Sequence, residues 1–554
     1  MVIIGENNKK ECCGCTACKN VCPKDAISME EDIEGFLYPV IDKNKCIKCG
    51  LCDKVCPIKN KKENNHNKII PFIVRTKNEK QLMESTSGGF FTPIAKYIIE
   101  QKNGNVFGVI YDSNDKKIKH ICINNKNYEK IELLKGSKYV QSHLGDIFKS
   151  IRKLLEDGEV VLFSGTPCQV EGLIKFLRKD YSNLITVDLI CHGVPSPKLW
   201  KEYVKYQENK YKSEIESVNF RNKTYGYHSG TMKLVFKNKK KYYGSARVDF
   251  LLKSFFSEIA SRPACYDCQF KNRNHLADFT IFDCWYAKDI NNIIDEDDNG
   301  FTNLFINSEK GKILFDDVKD NYYVYRNNIE RTIELNGVMV ENSAIPNENR
   351  EKFYKFLRDN SLENTINKFI PISLKDLIVE NTSLEEFFSI INDLVKNTKV
   401  QKMKIYNQHA HTSCYKHCMQ VAYYTYIICK KLNLDYVSAT RGAMLHDLFL
   451  YDWHTHIRED KSWKGQHAFM HPKIALKNAT AIFNLNDIEK DVIVNHMWPV
   501  TIKIPHYKET VVVTFADKYS ALVETFKHIR GILHTKKFYK YAYVFLSLIV
   551  FRII

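Results

Sequence analysis

The order of apolar and polar positions divides the chain into four stretches. Residues 1–58 hold only short runs broken by Gly and Pro, the pattern of a small loop-rich domain. KNKKENNHNK, 59–68, has no apolar residue beyond the lysine stems, so 59–70 reads as a linker. From 71 to 365 short β-branched runs alternate with helical periods. NVFGVIYD and VVLFSGTP read as strands, and PIAKYIIEQ and VEGLIKFLRKD as helices. That alternation predicts an α/β domain. Strand signals fade from about Leu374, and LEEFFSIINDLVKN and MQVAYYTYIICKKL predict an all-α domain over 366–530. The tail, 531–554, contains an apolar stretch at 541–551 that is too short to span a bilayer, so no membrane span is expected. It reads as a packing helix or a membrane-surface anchor.

Composition sharpens this outline. A length of 554 residues is enough for three or four domains that fold without disulfides. There are nevertheless eighteen cysteines, and the opening MVIIGENNKKECC lacks the apolar core of an export signal. The expectation is a reducing, anaerobic cytoplasm, with the thiols serving metal or redox chemistry. The net charge of +17 is spread along the chain among Asn and Tyr, with no basic-aromatic cluster, so no nucleic-acid partner is expected.

The first thiols are regularly spaced. Cys12, Cys15, Cys18 and Cys22 form C-x2-C-x2-C-x3-C-P, and Cys46, Cys49, Cys52 and Cys56 repeat it. Two-residue loops wrap three thiolates around one cubane, and the fourth Cys, before Pro, crosses to the other. One [4Fe-4S] cluster is therefore assigned to Cys12, Cys15, Cys18 and Cys56, and a second to Cys46, Cys49, Cys52 and Cys22, leaving Cys13 spare. The stretch 11–58 resembles the bacterial two-cluster ferredoxin domain, a wire that needs a donor and an acceptor.

In the middle domain, STSGGFF at 85–91 precedes a helical period. Gly88 and Gly89 there would let backbone N–H groups approach an anion such as a flavin pyrophosphate. LFSGTPCQVEGL runs strand, turn and helix through Gly165 and Thr166, a second phosphate-compatible turn. Lys138 can neutralise a phosphate or flavin anion, or be an ordinary solvated lysine. Cys168, Cys191, Cys265 and Cys268 fall at strand or loop ends and could hold a third iron–sulfur cluster or a zinc. Cys122 and Cys284 read as core.

Six collinear stretches carry a wider resemblance: the double Cys motif, STSGGFFTPIAKYI, GSKYVQSHLGDIF, VLFSGTPCQVEGL, CHGVPSP and RPACYDCQFKNRNHLADFTIFD. Residues 12–350 resemble the coenzyme F420 hydrogenase/dehydrogenase beta-subunit family. The resemblance implies an FAD-binding domain, with Ser87, Gly88, Gly89, Lys138, Gly165 and Thr166 as cofactor contacts. It also favours a third [4Fe-4S] cluster on the four middle cysteines, and electron exchange with a soluble ferredoxin or another redox protein. FDCW at 282–285 departs from the family pattern, since Phe282 stands where relatives carry Gly, so an altered loop is expected there.

Histidines concentrate in the last third. His417 lies in one helical period, His446-Asp447 and the i, i+4 pair His467 and His471 follow, then His496 near Pro499, and Asp517. Neutral imidazoles with carboxylates suit divalent zinc, manganese or iron, which lower the pKa of bound water and clamp phosphate oxygens. The order His…His-Asp…Asp over roughly 400–530 resembles the HD superfamily of metal-dependent phosphohydrolases. That resemblance implies His417, His446, Asp447 and Asp517 as ligands of one metal, with His471 and His496 at the extra positions of a two-metal site. His446 and Asp447 are then central to catalysis, and the substrate is a small phosphate ester. His454 and His467 fall outside this pattern.

The expected whole is multidomain: a small α+β ferredoxin domain, an α/β flavin-binding domain and an all-α HD domain. The expected function is a flavin oxidoreductase fused to a phosphohydrolase. The competing expectation is a redox sensor whose clusters and flavin control a phosphohydrolase or a degenerate binding module.

Overall fold

The computed structural model describes residues 9–61, 69–372, 384–452 and 467–530, except positions 225, 274, 296, 337, 410 and 411. His454, the tail 531–554 and most of the expected linker lie outside the described residues. The chain forms two compact units, Met1–Leu377 and Ile378–Ile554.

The first unit begins with a small ferredoxin-like domain. Two short helices, Ala17–Val21 and Leu51–Lys54, flank an antiparallel hairpin of β1 (Ile27–Glu31) and β2 (Leu37–Ile41). The two Cys repeats turn alike. Gly14 (φ 72°) and Thr16 (φ 66°) bracket Cys15, and Lys48 (φ 55°) and Gly50 (φ 75°) bracket Cys49. Left-handed residues at these matched positions curl each loop around its sulfurs and turn backbone N–H groups inward.

The chain then builds a large mixed sheet from β3 (Ile70–Thr76), β4 (Asn105–Asp112), β5 (Lys117–Ile123), β6 (Val161–Gly165) and β7 (Leu184–Leu189). Its remaining strands are β11 (Phe279–Asp283), β12 (Thr302–Ile306) and β13 (Tyr322–Arg326), in the order β13-β3-β12-β11-β7-β6-β4-β5. The central β11-β7-β6-β4 ladder is parallel, and antiparallel strands close both sides. The α/β expectation therefore holds at the centre, while the domain as a whole is mixed. Helix α1 (Phe91–Glu100) covers one face, where Ile94 and Ile98 pack with Val106, Leu162 and Leu304. Helix α2 (Pro167–Leu177) covers the other, and its Leu173 and Phe176 join Phe107 and Phe163.

Three features differ from expectation. Ala17, Val21 and Val55 of the ferredoxin-like domain enter the same core as α2, so that domain is built into the first unit. A separate three-stranded antiparallel sheet, β8 (Ile215–Asn222), β9 (Thr231–Phe236) and β10 (Lys241–Ser245), stands apart from the α/β pattern. Its Phe220, Leu234 and Phe236 pack with Leu362, Ile366 and Ile370. The stretch 362–372 thus belongs to the first unit, so the boundary lies after 365. Phe282, where an altered loop was expected, sits within β11 opposite Asn303, edge-on to Phe305.

The second unit is helical: α3 (Leu384–Lys396), α4 (Cys414–Lys431), α5 (Tyr436–Leu445), α6 (His467–Thr480), α7 (Asp487–Asn495) and α8 (Lys508–Arg530). A two-stranded ladder, Asn407–His409 with Thr412–Ser413, precedes α4 and departs from a purely helical domain. The core joins Phe387, Val421, Tyr426, Leu445, Val492 and Val513.

Candidate functional site

In the ferredoxin-like domain the cysteines line two small cavities. One, of about 30 Å³, is walled by Cys12, Cys15, Cys18 and Cys56 together with Cys13 and Cys52. The other, of about 20 Å³, is walled by Cys22, Cys46, Cys49 and Cys52. Each of the two sets assigned from the spacing therefore surrounds one cavity, with the fourth cysteine coming from the other repeat in both cases. Burial holds the Cys18 and Cys56 thiols above their ordinary values, so in the absence of metal they stay protonated. Cys13 also lines a third, much larger cavity and hydrogen-bonds both Cys15 and Cys168.

That larger cavity, about 630 Å³, opens beyond the carboxyl ends of the parallel strands, where α/β sheets place their ligands. Ser87, Gly89, Lys138, Gly165 and Thr166 line it, as do Cys168, Cys191, Cys265 and Cys268. Gly88 does not: its N–H donates to Thr302 Oγ1 at 2.9 Å, and a Cβ there would meet the Val74 carbonyl at 2.4 Å. Gly88 lets the loop lie against the sheet edge and offers no N–H to an anion. Ser87 donates its hydroxyl to the Phe301 carbonyl at 2.5 Å. Lys138 is half-buried, and its ammonium turns back onto the backbone. Its Nζ donates to the carbonyls of Leu133, Leu134 and Lys135, and burial pushes it down to about 7.

The Gly165–Thr166 turn is held from behind. Gln169 Oε1 accepts from the Thr166 N–H, and its Nε2 donates to Ser142 Oγ. Ser142 is 3.1 Å from His120 Nδ1, and His120 Nε2 is 3.1 Å from the Ser164 carbonyl. These partners assign the imidazole proton to Nε2, and burial pushes His120 down to about 4, so it is neutral.

Other basic groups at the cavity or behind its loops carry no signal in the local sequence. Arg221 pairs with Asp283 and lies 4.6 Å over the Trp285 ring. Lys223 is buried and donates to the carbonyls of Leu82, Ser87 and Asn299, bracing the loop that carries Ser87. His275 Nδ1 is 2.6 Å from Asp188 Oδ2. Burial alone would lower His275, but the Asp188 carboxylate holds it above its ordinary value. Beside them, burial pushes Glu171 up to about 7.

The four middle cysteines share this cavity wall. Burial raises each of Cys191, Cys265 and Cys268, to about 11 for Cys191 and about 12 for Cys268. A single tetrahedral zinc needs its thiolates about 3.8 Å apart, from a Zn–S bond of about 2.3 Å. Among the described residues no three of these sulfurs come within 4.8 Å of one another.

In the second unit the expected ligands converge from three helices, α4, α6 and α8, and from the turns after α5 and α7. His417, His446, Asp447, His471, His496 and Asp517 are all buried. His417 Nε2 is 3.0 Å from Asp517 Oδ1, and His446 Nε2 is 3.3 Å from Asp447 Oδ2. Asp447 Oδ1 faces His471 Nε2 at 3.2 Å and His496 Nε2 at 3.7 Å. The Nδ1 atoms of His446, His471 and His496 lie 2.7, 2.8 and 2.9 Å from backbone carbonyls of Ala443, His467 and Ile493. Those acceptors fix a proton on each Nδ1, so the Nε2 atoms point inward, as in metal-binding imidazoles. His471 Nε2 and His496 Nε2 meet at 3.0 Å, and burial keeps His496 neutral, down to about 3. Two inward lone pairs so close, with a carboxylate oxygen beside them, form a donor set suited to a cation.

Two family descriptions match the chain: a 4Fe-4S dicluster domain over residues 11–60, and the C terminus of the coenzyme F420 hydrogenase/dehydrogenase beta subunit, over residues 158–332. Together they support an iron–sulfur oxidoreductase role for the first unit. Among solved structures the chain is similar to one from the F420-reducing [NiFe] hydrogenase complex of Methanosarcina barkeri, studied by xenon derivatization. The identity is 14% and the TM-score 0.34, covering 55% of this chain and 94% of that one. No curated protein matches the chain. Among the described residues no helix is long and apolar enough to cross a membrane.

Proposed function

We propose that the first unit is an iron–sulfur flavoprotein that moves electrons between two [4Fe-4S] clusters and FAD in the 630 Å³ cavity. The observation that carries this reading is Cys13, which lines both the first cluster cavity and the large cavity. The large cavity has the volume of an ordinary cofactor site. When bound, clusters supply single-electron steps and a flavin exchanges electrons in pairs or singly, which converts hydride chemistry into a one-electron current.

The chain's own residues divide the remaining work. Cys12, Cys15, Cys18 and Cys56 would hold the nearer cluster, and Cys46, Cys49, Cys52 and Cys22 the farther one. Cys168, Cys191, Cys265 and Cys268 would hold a third, since their sulfurs are spread more widely than one zinc asks. Gly165, Thr166, Gly89 and Ser87 shape the cofactor's bed, and Arg221 offers it a cation. Two-electron reduction also takes up a proton, and His275, oriented by Asp188, can hold one at the cavity wall. A soluble ferredoxin or another redox protein in the cytoplasm would exchange electrons at the ferredoxin-like domain. The anaerobic count of iron, acid-labile sulfide and flavin tests the reading. About 8 iron and 8 sulfide per chain are expected, about 12 of each with the third cluster, plus FAD. Zinc without sulfide, or no flavin after gentle anaerobic purification, would overturn it.

For the second unit we propose a metal-dependent phosphohydrolase of the HD kind, on the facing Nε2 atoms of His471 and His496 and the two-sided Asp447. His417, His446, Asp447 and Asp517 would hold one divalent ion, and His471 and His496 would extend the set to a second. Such an ion, when bound, lowers the pKa of its water and neutralises a phosphate oxygen. The Nδ1 bonds to backbone carbonyls keep the imidazoles in the binding tautomer. Hydrolysis of phosphomonoester and phosphodiester panels, with and without added manganese or zinc, tests this reading. Inactivity on every panel with a filled site would favour a binding module.

A further inference from the structure

Two cysteines that belong to none of the sequence motifs sit against the histidine–aspartate cluster. Cys414 opens α4 and Cys418 lies one turn on, so both share the helix face that carries His417. Cys414 Sγ donates to the Asp447 carbonyl at 3.1 Å, and Cys418 hydrogen-bonds Cys414 and His446. The ligand atoms of Cys414, Cys418 and Asp447 all lie within 4.8 Å of one another, and all three residues are buried. The same limit gathers His417, His446 and Asp517, and also His446, Asp447 and His496. Cys429, on the same helix and equally buried, belongs to none of these sets. It is what a packing cysteine looks like.

The donor types separate the first set from the other two. Thiolates are soft and select zinc-like ions, whereas a purely nitrogen and oxygen site also takes manganese or magnesium. A tetrahedral zinc with bonds of about 2.3 Å sets its sulfurs about 3.8 Å apart, inside the observed limit. From this we infer that Cys414, Cys418 and Asp447 form a thiolate-bearing position for a zinc ion beside the imidazole cluster. Binding forms two Zn–S bonds and releases the two thiol protons to solvent, with no change of oxidation state. His446 touches Cys418 but gives its one inward nitrogen to the imidazole site, so a water completes the zinc position, and the two-oxygen carboxylate of Asp447 is shared between the two sites. The inference concerns donor atoms and goes beyond the phosphohydrolase reading, whose failure would leave it standing.

Zinc-edge X-ray absorption on the full chain, carrying its iron–sulfur clusters and dialysed against zinc, tests it, because iron does not absorb at that edge. The expected result is a mixed shell, with sulfur at about 2.3 Å and nitrogen or oxygen at about 2.0–2.1 Å. Cys414→Ser and Cys418→Ser should each remove one sulfur from the shell, and the double variant should remove both. Cys265→Ser/Cys268→Ser should leave that shell in place. If the double variant does not fold, the single variants, each keeping a hydroxyl where the thiol was, read the loss one sulfur at a time. A wild-type shell of nitrogen and oxygen alone, failure to retain zinc, or sulfur that persists without Cys414 and Cys418 would overturn the inference.

Discussion

Arg262 donates its Nε–H to the carbonyl of Cys12 at 2.6 Å, from a position with no solvent exposure. Its Nη1 also reaches the Leu37 carbonyl and Gln141 Oε1, both at 3.1 Å, and the guanidinium lies 4.0 Å over the Tyr38 ring. One buried cation thus ties the first cysteine loop and the hairpin to the large sheet domain. Arg262→Met keeps most of the volume and removes every donor. Each orphaned acceptor costs about 1–3 kcal/mol, so the urea midpoint should fall clearly. Cys12 and Cys13 lie within the field of this charge. Any cluster held there should become harder to reduce once the cation is gone, because its negative reduced form loses stabilisation. Redox titration followed by EPR checks the direction. An unchanged potential would mean that the arginine only fastens the two domains together.

Gly172 marks a second contact between these domains. A Cβ on it would stand 2.9 Å from both Cβ and Sγ of Cys15. Gly172→Ala should cost about 1–3 kcal/mol by overpacking and should lower iron retention at the nearer cluster first. Iron content after gel filtration, set against wild type, measures it. Full retention of both clusters would show that α2 can shift away without disturbing the loop.

These contacts explain what can be read from the chain and what cannot. The thiol spacing predicts both cluster cavities because the ligands are local, at most a few dozen residues apart. Strands β4 and β6 and helices α1 and α2 are legible because each period falls within one segment. The anchors are not. Arg262, Arg221, Lys223 and His120 look like any other bases in a lysine-rich chain. Their partners, such as Leu82 and Ser87 for Lys223, lie far off in sequence. The β8–β10 sheet is hidden because polar residues break each run: Glu216, Asn219 and Arg221 in β8, Lys233 in β9 and Lys241 in β10. Lys138 and Gly88 depart from expectation since local sequence cannot tell which way an N–H or ammonium turns. In the second unit the order of His and Asp points to one cluster, and they do meet. Only the structure adds Cys414 and Cys418, whose partner Asp447 comes from beyond α5.

His120 gives the first unit a pH dependence of known sign. Its folded value, about 4, lies below the ordinary histidine value of 6.5. Between those values the unfolded chain binds a proton that the folded chain does not. Stability is therefore intact above pH 6.5 and falls as the pH drops toward 4, by about 1.4 kcal/mol per unit and about 3 kcal/mol in all. His120→Gln can still donate to the Ser164 carbonyl and accept from Ser142, but cannot titrate. Urea unfolding at several pH values should show a shallower slope for this variant between pH 6.5 and 4. Identical slopes would mean that the acid sensitivity arises elsewhere.

Asp447 faces two ways in the second unit, with Oδ2 toward His446 and Oδ1 toward His471 and His496. Asp447→Asn keeps the shape and one carbonyl oxygen but removes the charge shared by both sides of the cluster. Its ordinary carboxylate value is held down by His446 against the opposing effect of burial, so the charge is present at neutral pH. Losing it should lower bound divalent metal from one or two ions per chain to well under one, by elemental analysis. Phosphodiesterase activity should fall at least about a hundredfold, since ligand loss exceeds the 10–100-fold cost of losing an outer partner. Iron and sulfide should be unchanged, because every cluster cysteine lies in the first unit. Retained divalent metal in Asp447→Asn would place the ion on His417, His446 and Asp517, the set that does without it. Retained activity without metal would remove the cluster from the chemistry altogether.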